Sequence, residues 1–190
     1  MHYNRPRSTA TWGLNAKDWE AGINYEKLRK DRLERAQSAC AEAGFGAFLC
    51  FNFDNLRYIT STHIGEWGRD KFDRYCLCPT DSAPFLWDPA PPAKRKSSPW
   101  LGNRVDAPVS TMQGSIPPEH GVQNVFAKQI KEKMVELGIE KQPLGIDVME
   151  LPMLRALEQE GVEVVDGQQA LMNAREVKTE EEIELSLIHI

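Results

Sequence analysis

The run His63-Ile64-Gly65-Glu66-Trp67-Gly68-Arg69-Asp70-Lys71 crowds ionisable groups around a tryptophan, with glycine on both sides of Glu66-Trp67. A loop of that make-up can present side chains. Either His63, Trp67 and Arg69 project toward a ligand or a second subunit, or His63 and Trp67 pack under the loop while the charges are solvated. Cys76 and Cys78 have a spacing that can serve a metal. However, alternate positions of a strand place both thiols on one face, and no second Cys or His pair lies nearby to complete four ligands. Asp147 stands at the end of an apolar run, where a catalytic acid could sit. No partner carboxylate, histidine or metal motif accompanies it, so a turn or helix-capping role is expected. No catalytic, cofactor-binding or metal-binding residue is expected among these groups.

Composition narrows the function classes. The chain of 190 residues is 41% hydrophobic and 27% charged, which suits one globular domain. Its net charge of −5 comes from 23 basic against 28 acidic residues, and Lys94-Arg95-Lys96 is the one basic block. Nucleic-acid binding is therefore not expected. The opening MHYNRPRSTATWG lacks the apolar stretch of a secretory signal, and no later run approaches a membrane span, so a cytoplasmic protein without a membrane partner is expected. Cys40, Cys50, Cys76 and Cys78 all fall in helix or strand patterns, where free thiols pack as small soft groups rather than as a disulfide framework.

The elements that must position these groups follow from periodicity. Tyr25, Leu28, Leu33, Ala36, Cys40 and Ala43 recur on one helical face, and Gly44 can take the left-handed position that ends the helix. Ala47 to Phe51 then reads as a buried strand. Asn52, Asp54 and Asn55 can each accept a backbone N–H and start a single helical turn that carries Leu56 and Ile59 inward. Two strands, Tyr75 to Cys78 and Pro84 to Asp88, read as a hairpin. Residues 89–103, with Pro89, Pro91, Pro92 and Pro99, read as a long loop in which Trp100 and Leu101 are candidates for covering something. A further strand is expected from Arg104.

In the second half, Pro118, Val122, Phe126, Ile130, Lys133 and Leu137 followed by Gly138 define a helix with both end signals. Leu144 to Val148 is a strand, Leu151, Leu154 and Leu157 mark a short helix closed by Gly161, Val162 to Val165 is another strand, and Gln168 to Met172 a last turn. The alternation predicts an α/β layered domain, a mixed sheet of roughly six strands flanked by helices. Thr179 with Glu182 forms a capping box that opens a new helix. Residues 1–24 form an arm, 25–174 the domain, and 175–190 the start of a linker helix. Trp12, Trp19, Trp67 and Trp100 lie outside the predicted elements, and aromatics so placed tend to anchor interfaces.

Two stretches carry a resemblance. A helix, an apolar strand and then Asn55-x-Arg57-Tyr58-Ile59-Thr60 resembles the start of the N-terminal domain of the creatinase, prolidase and aminopeptidase P family, the pita-bread metalloenzymes. Arg175-x-Val177-Lys178-Thr179-x-x-Glu182-Ile183 resembles the junction where that domain hands over to the catalytic one. The two motifs stand in the family's order and bracket about residues 25–185.

The resemblance implies a creatinase N-terminal-like, ribonuclease H-like fold. It implies a parent hydrolase, most often an Xaa-Pro peptidase, whose divalent metal pair (Mn, Zn, Fe or Co) belongs to the catalytic domain beyond the junction, with no cofactor in this part. It implies a homodimer in which the loop of His63, Trp67 and Arg69 approaches the partner's substrate entrance. The tryptophan-rich arm and that loop look more like the dimethylsulfoniopropionate lyase branch than a plain prolidase. A creatinase-like amidinohydrolase and a non-enzymatic partner-binding domain are the other outcomes. The ending Leu185 to Ile190 is also similar to translated adapter read-through, so an incomplete gene is expected and His189 is given no role.

Overall fold

The computed structural model describes residues 20, 22–63, 73–109 and 116–188. Trp12, Trp19, Trp67, Arg69 and His189 lie outside the described residues. Helix α1 (Tyr25–Glu42) opens under the Asn24 side chain, which accepts the Lys27 N–H, and buries Leu28, Ala36 and Cys40. It ends as the sequence predicts. Gly44 takes φ +75°, its N–H reaches the Ala41 carbonyl, and the Phe45 N–H reaches the Cys40 carbonyl, both at 3.0 Å. That doubly bonded end satisfies carbonyls that a helix otherwise leaves open, and it turns the chain directly into β1 (Ala47–Cys50).

All six expected strands form, in one mixed sheet. β2 (Tyr75–Pro79) and β3 (Phe85–Trp87) make the predicted hairpin, and β4 (Val105–Asp106), β5 (Leu144–Ile146) and β6 (Val164–Asp166) complete the order β4-β3-β2-β1-β5-β6. β1 lies antiparallel to β2 and parallel to β5, while β3–β4 and β5–β6 are parallel. Side chains alternate across β1, so the sheet feeds two cores. Ala47, Leu49 and Phe51 join Tyr75, Leu77 and Trp87 beneath α4 (Val122–Glu136) and α5 (Leu151–Gln159), where Phe126, Ile130, Met134 and Leu157 are fully buried. Phe48 and Cys50 join Cys76, Cys78 and Leu86 on the other side, under α1, α2 (Phe53–Thr60) and α6 (Gln168–Glu176). Each large apolar side chain so enclosed contributes about 1.5–3 kcal/mol, which explains why short strands can carry the fold.

Three readings need correction. Residues 89–103 are not a bare loop: α3 (Pro91–Ser97) and a 3₁₀ turn (Pro99–Leu101) occupy most of it. Proline suits the first turn of a helix because its missing N–H is not needed there, so these prolines start structure as well as punctuate it. The single turn after Asn52 is the eight-residue α2, and the turn from Gln168 continues to Glu176 as α6. Of Asn52, Asp54 and Asn55, it is Asn52 that caps α2, accepting from the N–H groups of Asp54 and Asn55. The capping box is present as read. The Thr179 N–H donates to Glu182 at 2.9 Å, the Glu182 N–H donates to Thr179 Oγ1 at 3.2 Å, and α7 (Glu180–Ile188) follows.

Candidate functional site

In an open α/β sheet a ligand crevice forms beyond the carboxyl ends of the parallel strands where strand order reverses. Here that point is the β1/β5 pair, and the protein's own side chains fill it. Asp147, just past β5, accepts the Phe51 N–H at 2.9 Å and the Val148 N–H through Oδ1, and the Asn52 N–H and Asn55 Nδ2 through Oδ2, both at 3.0 Å. Fully buried Asn55 also donates to Gln168 Oε1 at 3.0 Å and accepts from the Arg175 guanidinium at 2.7 Å. Burial pushes the Asp147 carboxyl above its ordinary value, against the opposing effect of its donors. With four donors converging on it, Asp147 stitches β1, α2 and β5 together, a structural role wider than the turn or helix cap expected of it, since Asn52 caps α2.

Tyr58 of the same motif is also structural, whereas Arg57 is exposed. Tyr58 is buried, donates to the Ala174 carbonyl at 3.2 Å, and faces the guanidinium groups of Arg32 and Arg175. Arg32 pairs in turn with Glu182 at 2.8 Å. The Asn-x-Arg-Tyr motif and the capping box, read separately in the sequence, thus meet across α1. Local pattern carries no sign of this link, because Asn55 and Arg175 stand 120 positions apart.

Of the three residues singled out as a substrate-access or dimer loop, His63 is described; it is exposed at the end of the segment leaving α2. Beside it lie Trp100, which the sequence marks as a covering residue, and Lys94 and Asp88, to which sequence reasoning gave no role at this site. Lys94 of α3 donates to the His63 carbonyl, and Trp100 Nε1 donates to the Thr60 carbonyl at 2.8 Å. Asp88 is fully buried, accepts from Arg74 at 2.7 Å and from the Ala90 N–H at 2.9 Å, and lies 3.8 Å from the Lys94 ammonium. Burial draws the Lys94 ammonium below its ordinary pKa, with Asp88 opposing. Trp100 keeps an exposed ring face over which Arg29 lies at 4.4 Å.

Two grooves flank α1. The larger, of about 700 Å³, runs between α1, α2 and α7 past Arg29, Arg57, Tyr58, Trp100 and Arg175; the other, of about 640 Å³, lies between α1 and the α6–α7 junction. Neither has a histidine or cysteine among its described walls. All four cysteines are buried free thiols, and burial raises Cys40 to about 12 and Cys50 and Cys78 well above the ordinary thiol value. Groups held as thiols are poor nucleophiles and ligands. Among the described residues no three His, Cys, Asp or Glu side chains converge as a metal site would require.

No family model matches the chain. Over 183 residues it is 26% identical to the dimethylsulfoniopropionate lyase DddP of Roseovarius nubinhibens, covering 92% of this chain and 38% of that protein. It is 27% identical over 165 residues to the lyase of the same name from Roseobacter denitrificans, covering 82% and 35%. The chain thus spans less than two-fifths of the length of these curated relatives. Among solved structures, the Xaa-Pro dipeptidase from Bacillus anthracis superposes with a TM-score of 0.57 at 17% identity, over 82% of this chain and 38% of that one. Dipeptidase PepE from Mycobacterium ulcerans gives 0.57 at 21%, over 86% and 40%. The isolated N-terminal domain of cytoplasmic peptidase PepQ from Mycobacterium tuberculosis gives 0.53 at 18%, over 76% and 98%. The fold is that of the N-terminal domain shared by Xaa-Pro dipeptidases, prolidases and aminopeptidases P.

Proposed function

We propose that this chain is the non-catalytic N-terminal domain of a dinuclear-metal enzyme of the creatinase, prolidase and aminopeptidase P family, of the Xaa-Pro peptidase type. In this reading it is a cytoplasmic homodimer whose His63 end contributes to dimerisation and substrate access. The observation that carries the reading is the pattern of coverage. The fold matches nearly all of an isolated peptidase N-terminal domain and about two-fifths of whole dipeptidases. The polar clusters of the described residues support it too, since the Asn55 and Asp88 networks are spent on joining elements. The metal pair, which would activate water and stabilise the oxyanion of peptide hydrolysis, belongs in this reading to a domain outside the chain.

A second reading, a dimethylsulfoniopropionate lyase-like enzyme, is supported by a specific observation: both curated relatives carry that name, and one aligns over 92% of the chain. The two readings share the domain and differ in the reaction. The experiment that separates them is to express, from the source DNA, the protein of the full reading frame that contains this sequence. Its rates of Xaa-Pro dipeptide hydrolysis and of dimethyl sulfide release are then compared. Hydrolysis alone supports the peptidase reading and sulfide release the lyase reading. A longer protein with neither activity and no metal would favour a non-enzymatic binding domain.

A further inference from the structure

Asp88 joins elements, yet a fully buried carboxylate just past β3 does more than that role requires. It sits just past β3, where its own N–H donates to the Asp106 carbonyl of β4 at 2.9 Å. Its carboxylate gathers two cations from two different segments. Arg74, immediately before β2, donates to Oδ2 at 2.7 Å, and Lys94, on the second turn of α3, lies 3.8 Å from the same oxygen. The Ala90 N–H takes the other oxygen at the start of α3. Lys94 does not stop at Asp88, because its ammonium also donates to the His63 carbonyl. One turn further on, Trp100 holds the Thr60 carbonyl at the end of α2.

A buried carboxylate with one cation would be an ordinary ion pair. Here the second cation is shared with a main-chain carbonyl on another element, and an ammonium has three donors with which to do that. The chain leaves α2 through Ser61, a non-glycine residue at φ 51°, so the direction of the Thr62–His63 segment is not set by a repeating ladder. Buried Thr62 bonds back to Thr60 through its N–H and its hydroxyl, and beyond that turn the segment is held by the two carbonyls that α3 and the following turn grip.

We propose that Asp88 is a positioning residue, which orients Lys94 and through it fixes the His63 main chain at the edge assigned above to substrate access. The functional half rests on the proposed domain role; the structural half does not. Lys94→Met removes the grip on His63 while leaving the Asp88–Arg74 pair intact, and Asp88→Asn weakens both. Hydrogen exchange of the bonded amides of Ser61 and Thr62 should then accelerate about tenfold or more in Lys94→Met, with the amides of Ile130 to Met134 in the α4 core unchanged. Asp88→Asn should show the same local acceleration. Unchanged exchange at Ser61 and Thr62, or an equal acceleration in α4, would overturn the positioning role. In the longer enzyme the same Lys94→Met change should raise KM several-fold at constant kcat. Local acceleration with unaltered KM would uphold the grip on His63 and remove its tie to substrate access.

Discussion

Asn55 Nδ2 donates to Asp147 Oδ2 at 3.0 Å across 92 positions of sequence, joining the first turn of α2 to the end of β5. Because Asn55 also serves Gln168 and Arg175, replacing it takes a partner from three polar groups at once, although Asp147 keeps its three main-chain donors. Asn55→Ala should cost about 2–3 kcal/mol in urea unfolding, the usual penalty for leaving buried polar groups unpaired. Asn55→Asp should cost more near neutral pH, where two carboxylates face each other, and should recover part of the loss on acidification. Equal losses at both pH values would mean that Asp147 does not sense the site.

Asp147 gives a pH dependence of unusual sign. Its native pKa lies above the ordinary 3.8, chiefly through burial, so the native state holds this proton more tightly than the unfolded chain does. The stability it contributes by titration is fully present below the unfolded pKa and is lost as pH rises through the raised native value. Asp147→Asn cannot titrate, and it turns an NH₂ toward main-chain donors. The variant should be less stable at neutral pH by about 1–3 kcal/mol. Its deficit relative to the native protein should be larger still on the acid side of that window. The comparison is made by chemical unfolding across the range.

The layered fold and the site beside it were legible to different depths. Six strands, α1 with its Gly44 end, and the Thr179–Glu182 box depend on neighbours a few positions apart, and local pattern reveals such neighbours. The Asn-x-Arg-Tyr stretch was visible as a motif, but not the reason for it: Asn55 looked like one more capping residue, while its partners lie far along the chain. The α3 segment was hidden for a different reason. Its prolines read as loop punctuation, and only the cations Lys94 and Arg95 reaching back to His63 and Val105 show why a short helix is held there.

Gly167 marks a close approach of backbones. A Cβ built there would lie 2.8 Å from the Gly145 carbonyl carbon and 2.9 Å from the Ile146 nitrogen, where α6 starts against β5. Main chain in a central strand cannot retreat as a side chain can. Gly167→Ala should therefore cost about 1–3 kcal/mol, the range for overpacking. Gly22→Ala, with nothing within 4 Å of the added carbon, should stay within about 0.5 kcal/mol of the native protein. Similar melting of the two variants would contradict the close approach.

The reciprocal Thr179–Glu182 cap should be worth about 1 kcal/mol to the start of α7. Thr179→Ala should speed amide exchange in α7 well before it affects α4, and Glu182→Gln should do so less. Loss confined to α4 would show that the cap is not what holds this helix.

The claim that this is the non-catalytic domain of a metal enzyme is tested most directly by metal content and turnover in parallel. Residues 1–190 and the product of the full reading frame that contains them are dialysed against divalent metal, analysed by mass spectrometry of the elements, and assayed on an Xaa-Pro dipeptide and on dimethylsulfoniopropionate. The account predicts no stoichiometric metal and no turnover above buffer for residues 1–190, with a metal pair and one of the two activities in the longer protein. Metal retained by residues 1–190 together with turnover of either substrate would contradict it.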